Sequence, residues 1–289
     1  MQWQKVTLVG VGLLGGSLGL ALKQRKLAHR VDGFVRRPES VQECQKLGVV
    51  DAAHLDVVAA VRDADLIVFC TPIAQMRSLA ERMRSHVAAG AALTDVGSVK
   101  GSVVNELEPL FPGFVGSHPM AGSEKTGPAA ATADLFREAV CVITPTARSN
   151  PNSVDSVEEL WRSVGAITRR LSPEAHDELV SRSSHLPHLL AAQLVNYVLG
   201  PDRPEDQELL CANGFRDTTR IASGSPEMWR DIALTNREHI TRELTEFIDA
   251  LQQVRAALEK GDSRQIEQFF AEAKKRRDAW RGQRGASPE

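Results

Sequence analysis

The stretch that most constrains this chain runs from Val6 to Ser17, VTLVGVGLLGGS. An apolar run leads straight into Gly10-x-Gly12-x-x-Gly15, and a helical pattern follows through Lys23. A strand, a tight turn and a helix in this order are the fingerprint of a unit that holds a dinucleotide. Gly10 permits the turn, Gly12 lets the backbone approach a pyrophosphate, and Gly15 lets the helix pack close to the strand. The free N–H groups and the dipole at the helix start then face the anion. Leu13, Leu14 and Ser17 complete the expected cofactor turn. A glycine-rich turn alone is a weak signal, and its alternative is a strand–turn–helix that binds nothing.

The second strand bears on the choice of cofactor. Arg30-Val-Asp-Gly-Phe-Val35 reads as that strand. In a NAD-binding unit an acidic residue about 20 positions past the glycines holds the ribose hydroxyls. That count from Gly15 lands on Val35, followed by Arg36 and Arg37. Asp32 falls inside the strand rather than at its end. An acid would repel a 2′-phosphate, whereas a guanidinium pairs with it and stacks on adenine. The expectation is therefore NADP in preference to NAD, with a solvated arginine turn as the alternative.

Strands and helices continue to alternate. Pro38–Leu47 reads as a helix, Asp63–Cys70 as a strand ending in Thr71-Pro72, and Gly90–Val96 as the next strand. Phe114–Ser117 is a short strand leading into His118. Thr71, Pro72, Ser98 and His118 thus fall just past strand ends, on the edge where ligands of such sheets bind. Strands at 141–144 and 166–171, with a helix near 154–164 between them, are expected to complete one doubly wound α/β sheet. From Pro173 onward the pattern is helical, with Pro187 as an interruption. The expectation is a dinucleotide-binding domain over 1–172 and an all-α domain over 173–289. Ser225-Pro226 opens a long helix whose apolar seam, Ile240, Leu244, Phe247, Leu251, Val254 and Leu258, runs to about Glu259. One helix of that span would be about 50 Å long. That length favours a subunit partner over a purely internal stripe.

Composition excludes other classes. A net charge of −2 gives no footprint for nucleic acid or an anionic membrane surface. No apolar stretch reaches the roughly 18 residues of a membrane span, and no secretory leader is legible. Cys44, Cys70, Cys141 and Cys211 lie far apart, with neither metal-ligand spacing nor a disulfide framework. The reading is a cytoplasmic enzyme. His185 and His188 are spaced i, i+3, but Pro187 between them and no nearby third ligand argue against a metal.

Five ordered segments carry a resemblance. Gly10-Val-Gly-Leu-Leu-Gly-Gly-Ser17, Asp95-Val-Gly-Ser-Val-Lys100, Ser117-His-Pro-Met-Ala-Gly122, Ser184-His-Leu-Pro-His188, and Thr219-Arg-Ile-Ala222 with Met228-Trp-Arg-Asp231 occur in this order. The series resembles the prephenate and arogenate dehydrogenases of tyrosine biosynthesis, from about residue 5 to about 280. The resemblance implies oxidative decarboxylation of prephenate to 4-hydroxyphenylpyruvate, or of arogenate to tyrosine. It implies that His118 accepts the proton of the 4-hydroxyl and that Ser98 hydrogen-bonds that hydroxyl or the imidazole. It implies that Arg220 binds a substrate carboxylate, that His188 and Ser184 line the side-chain pocket, and that Glu124 lies near the entrance. A homodimer through the helical domain is also implied. The family's fused mutase and regulatory domains do not fit, because the helical pattern runs almost to residue 289.

His118 as a turn-capping histidine and Ser98 as a helix cap are the plainer alternatives, and Arg216 and Arg230 flank Arg220. Another two-domain dehydrogenase, such as a 3-hydroxy acid oxidoreductase, would rely on a lysine in the helical domain. No lysine falls between Lys125 and Lys260. A nucleotide sensor without turnover would need no proton acceptor beside its nicotinamide.

Overall fold

The computed structural model describes residues 2–123, 125–204 and 206–280. The chain enters through β1 (Trp3–Val9), whose last four residues are buried, and turns into α1 (Leu13–Gln24). β2 (Ala28–Phe34), α2 (Pro38–Lys46), β3 (Ala52–His54), α3 (Val57–Val61), β4 (Leu66–Phe69), α4 (Ile73–Met83), β5 (Ala92–Asp95) and α5 (Gly101–Leu107) follow. The five strands form a parallel sheet in the order β3-β2-β1-β4-β5. Crossovers from β1 therefore run outward in both directions, and a crevice opens at the carboxyl ends of β1 and β4. Helices cover both faces, so the strands are apolar on both sides. One core cluster gathers Leu8, Leu18, Leu22 and Leu66. The other gathers Val9, Phe34, Ile67, Phe69 and Met76.

The sheet does not continue as one layer. β6 (Gly116–Pro119), β7 (Val140–Thr144) and β8 (Ile167–Arg170) form a second, three-stranded sheet, with α6 (Pro151–Ser163) between β7 and β8. β7 is antiparallel to β6 and parallel to β8. Among the described residues between β6 and β7 there is only a short 3-10 turn at Pro128–Ala130. With no crossover helix to carry the chain back, β7 returns antiparallel. The α6 crossover restores the parallel relation. A parallel bridge between Leu93 and Phe114 joins the two sheets, and the Val115 N–H donates to the Leu93 carbonyl at 2.8 Å. β6 thus still runs toward the same edge as β5.

The remainder is helical: α7 (Pro173–Val180), α8 (Leu186–Val198), α9 (Asp206–Leu209), α10 (Asn213–Thr219), α11 (Pro226–Thr235), α12 (Arg237–Lys260) and α13 (Ser263–Ala279). Ser172 caps α7, accepting the Ala175 N–H at 3.1 Å. The interruption expected at Pro187 is a π turn over Ser181–His185. In an α-helix the Pro187 nitrogen, which has no hydrogen, would face the Ser183 carbonyl, and the backbone widens here instead.

The single helix expected from Pro226 to Glu259 is two helices. They part at Asn236, which has φ −106° and ψ 27°. Its buried amide nitrogen donates to the Asp177 carbonyl at 2.9 Å, and this tertiary bond holds the side chain inward where an unbroken helix would continue. The seam on α12 persists, and Gly261, left-handed at φ 65°, ends it. At 24 residues α12 is about 36 Å long rather than 50 Å. Among the described residues, no helix is long and apolar enough to cross a membrane.

Candidate active site

The glycine turn is built as a cradle. Gly10 has φ +105°, and a Cβ there would lie 2.8 Å from the Thr71 methyl group. At Gly15 a Cβ would meet the Gly10 carbonyl oxygen at 2.2 Å. A Cβ at Gly12 would meet nothing within 4 Å, so the open side of the turn lies over this residue. α1 begins after Gly12 with no side-chain cap, leaving its first N–H groups for an anion. Beside it the buried Thr71 hydroxyl has no partner among the described residues. An uncapped helix start, a clear approach and an orphaned hydroxyl fit a dinucleotide phosphate. Leu13 and Leu14 are half-buried on the same turn, and Pro72 leads into α4.

Ser17 is a correction. It is fully buried, and its hydroxyl accepts the Thr132 N–H at 3.0 Å. It anchors the loop after β6 to α1 rather than facing the turn. Past β2, Val35 is buried while Arg36 and Arg37 are exposed. Arg37 lies 3.8 Å from Glu39; Arg36 has no ion pair among the described residues. Asp32 is fully buried among Lys5, Arg30 and His54, and is structural.

His118 lies within β6, opposite Val142, not beyond the strand end. Strand pairing fixes its backbone and directs the ring toward the helical domain. Its Nδ1 is 2.8 Å from His176 Nε2, and His176 Nδ1 is 2.7 Å from Asp177 Oδ1. Asp177 accepts the backbone N–H groups of Lys100 and Gly101, at 2.7 and 2.8 Å. The helix cap that was the plainer alternative for Ser98 is supplied by Asp177 from the helical domain, and Ser98 stands half-buried in the loop. Burial, with the nearby His176 and Lys100, pushes the His118 imidazole well below its ordinary pKa and keeps it neutral.

A fully buried ion pair lies beneath. Lys100 Nζ pairs with Asp95 Oδ2 and donates to the Ser117 carbonyl at 2.8 Å. Asp95 Oδ1 accepts the Ser117 N–H at 3.1 Å. The Ser117 hydroxyl donates to the Asp95 carbonyl at 2.6 Å and accepts from Trp161 Nε1 at 2.9 Å. Both termini of the residue before His118 are therefore pinned.

The helical side of the site comes from the π turn and its neighbours. His188 stacks on Trp229 at 3.8 Å between centroids, and its Nδ1 donates to the Ser184 carbonyl at 2.9 Å. Burial and the charge of Arg220 lower its pKa, which places that guanidinium close by. His185 is buried between, with Nδ1 3.2 Å from the Asn236 amide nitrogen, and burial brings its pKa to about 4. Arg230 is taken up by Asp231 at 2.7 Å. The structure therefore gathers Ser98, His118, Ser184, His188 and Arg220 around one edge. Glu124 lies outside the described residues. The sequence reading missed His176 and Asp177, Lys100 with Asp95, and Trp229 as a stacking partner.

A parallel sheet with a phosphate-cradling turn, a neutral imidazole at its carboxyl edge and a helical domain supplying the opposite wall define a dinucleotide-dependent dehydrogenase. Residues 18–169 match the family model of the prephenate dehydrogenase nucleotide-binding domain, and residues 172–272 that of the prephenate dehydrogenase dimerization domain. The chain belongs to the prephenate dehydrogenase family, oxidoreductases of tyrosine biosynthesis. It is 36% identical to the prephenate dehydrogenase of Bacillus subtilis, over 98% of this chain and 78% of that protein. It is 31% identical to a cyclohexadienyl dehydrogenase of Zymomonas mobilis, over 95% of each. Among solved structures, prephenate dehydrogenase from A. aeolicus in complex with hydroxyphenyl propionate and NAD+ superposes with a TM-score of 0.90. That match has 31% identity and covers 96% of this chain and 98% of the other.

Proposed function

We propose that this protein oxidatively decarboxylates prephenate to 4-hydroxyphenylpyruvate, with NADP+ as the favoured acceptor. The observation that carries the chemistry is the buried, neutral His118 ring on β6, held at Nδ1 against His176 of the helical domain. The bound cofactor supplies a hydride acceptor. His118 Nε2, which has no hydrogen-bond partner among the described residues, takes the proton of the 4-hydroxyl as the hydride leaves the same carbon. Ser98 orients that hydroxyl. Arg220 and His188 hold the carboxylate end, and Ser184 lines the side-chain pocket with them. Loss of CO2 then aromatises the ring without a second strong catalyst. The likeness to the Zymomonas mobilis cyclohexadienyl dehydrogenase favours arogenate as a second substrate.

Mixing the protein with prephenate or arogenate and either oxidised cofactor, and following reduced-nicotinamide absorbance, tests substrate and cofactor together. Absence of turnover with both substrates refutes the assignment. Arg220→Gln is expected to raise the substrate KM about tenfold to a hundredfold, the range for losing a charge-assisted contact, with kcat little changed. An unchanged KM moves that role to another residue.

For the cofactor, Arg36 supports the phosphorylated form, standing exposed just past β2 and without an ion pair among the described residues. Val35→Asp with Arg36→Ala should shift relative kcat/KM from NADP+ toward NAD+ by about tenfold to a hundredfold. Equal ratios before and after the change exclude a 2′-phosphate contact at Arg36.

We also infer a cytoplasmic homodimer. The four described cysteines are free thiols, as a reducing compartment keeps them. α8 reads LPHLLAAQLVNYV, yet it buries only Leu186 and Ala191 within the chain. α13 buries no residue and exposes Phe269 and Phe270. An apolar helix as exposed as α8, with the two phenylalanines of α13, is covered by a second copy. Light scattering at micromolar concentration is expected to give twice the chain mass; a monomer mass refutes it.

A further inference from the structure

Two residues outside every segment that carried the family resemblance stand directly behind His118. The donors and acceptors along this line have one consistent assignment. Asp177 receives three N–H groups, from His176 Nδ1 and from the Lys100 and Gly101 backbone. It is therefore an ionised acceptor, and although burial opposes ionisation, those bonds hold it below the ordinary carboxylate range. His176 must then carry its proton on Nδ1 and offer a lone pair at Nε2. The Nδ1 of His118, 2.8 Å away, must be the donor. That leaves the lone pair of His118 on Nε2, the atom the reaction requires.

We propose that Asp177 and His176, both in the helical domain, hold His118 as the Nδ1-protonated tautomer and take up the positive charge that its Nε2 gains during turnover. The inference rests on His118 as the proton acceptor. As the hydride departs with its electron pair to the oxidised cofactor, the hydroxyl proton passes to His118 Nε2. The Nδ1 proton moves to His176 Nε2. His118 is again neutral, and His176 is an imidazolium facing the Asp177 carboxylate. Loss of CO2 then leaves its electron pair on the ring oxygen as a phenolate, the two protons retrace this path, and the one on His118 Nε2 returns to that oxygen, so no net proton is released.

The surroundings favour that transfer. Burial opposes a cation on either ring; Lys100 and His185 add to that opposition at His118, whereas Asp177 and Asp95 offset it at His176, with Lys100 opposing. The line also crosses between domains, because Asp177 caps α5 of the nucleotide-binding domain. Catalytic geometry and domain docking therefore share one carboxylate. Both residues act through His118 and are positioning residues.

Histidine-labelled full-length protein, examined by 15N NMR at neutral pH with His118→Asn and His176→Gln assigning the signals, reads the tautomer without substrate. His118 is expected to be protonated at Nδ1 and bare at Nε2; the reverse overturns the proposal. Asp177→Asn should lower kcat about a hundredfold to ten-thousandfold, as removal of the orienting anion does in relayed histidine bases, with substrate KM and cofactor Kd within a few-fold. The acid limb of its kcat profile should also move to lower pH, because the anion that favours the cationic pair is gone. A purely structural role leaves that limb in place.

His176→Gln keeps an oxygen that can accept the His118 Nδ1 proton but cannot carry the charge. It should retain the tautomer and lose about tenfold to a hundredfold in kcat. Wild-type turnover in this variant overturns the charge transfer, even if Asp177→Asn does not fold. Failure of the wild type to turn over either substrate refutes the functional reading. Turnover with the wrong tautomer or an unmoved acid limb refutes only the relay.

Discussion

His118→Asn is expected to lower kcat about a hundredfold to ten-thousandfold, the contribution of a positioned general base. The affinity for the oxidised cofactor should be unchanged, because the glycine turn and Thr71 lie apart from the ring. Asparagine is the informative replacement. Its amide nitrogen can donate toward His176 Nε2, as His118 Nδ1 does, so the buried neighbour is not left unpaired. The fold should then survive, with a Tm close to the parent. The variant lacks a lone pair basic enough to take the hydroxyl proton. Steady-state kinetics with saturating prephenate, beside a fluorescence titration of cofactor, separates the two quantities. Turnover near the parent rate would remove His118 from the chemistry.

The second large effect is on stability. Lys100→Met leaves the fully buried Asp95 carboxyl without its cation. Breaking a buried pair from one side costs about 3–5 kcal/mol, which for a chain of this size corresponds to a Tm lower by about 5–8 °C. Asp95 keeps the Gly97 and Ser117 N–H bonds, at 2.8 and 3.1 Å, so the loss falls on charge more than on orientation. Pairing the change with Asp95→Asn removes the orphaned charge and should recover part of the Tm. Thermal unfolding of the two single variants and the double variant gives the interaction directly. Additive losses would mean that the pair contributes nothing as a pair. Because Lys100 also holds the Ser117 carbonyl, activity should fall alongside stability.

The readable parts of this molecule were those where local backbone demands are strict. The Gly10 to Gly15 turn is one: steric space around each glycine admits few alternatives, and the motif survives as a string. The strands before Thr71 and Ser98 were legible as apolar runs with polar punctuation. Other features depended on which surfaces meet. The second sheet was missed because nothing in residues 120–139 announces that a helix is absent. The break at Asn236 was missed because an asparagine between two helical patterns looks tolerable until its amide finds the Asp177 carbonyl.

His176 and Asp177 left a trace that periodicity could have raised. Pro173, His176, Asp177 and Val180 are the buried positions of α7, spaced i, i+3, i+4 and i+7. A histidine and an aspartate side by side on a helix's inward stripe need partners across the interface. Which partners they have is a matter of docking, which one strand of text does not encode. Ser17 shows the converse: a motif position whose side chain was committed to a loop far along the chain.

The π turn at Ser181–His185 has a consequence for how this segment can change by descent. A π turn is one residue more than the helix on either side would use. Each residue of an α-helix advances about 100° around the axis. Removing any one residue here would close the turn into regular helix and swing the downstream face by that amount. His188 would leave Trp229, and the apolar length of α8 would point elsewhere. Substitutions within the segment can be absorbed singly, but a change in its length re-aims the pocket wall and the helix beyond it in one step.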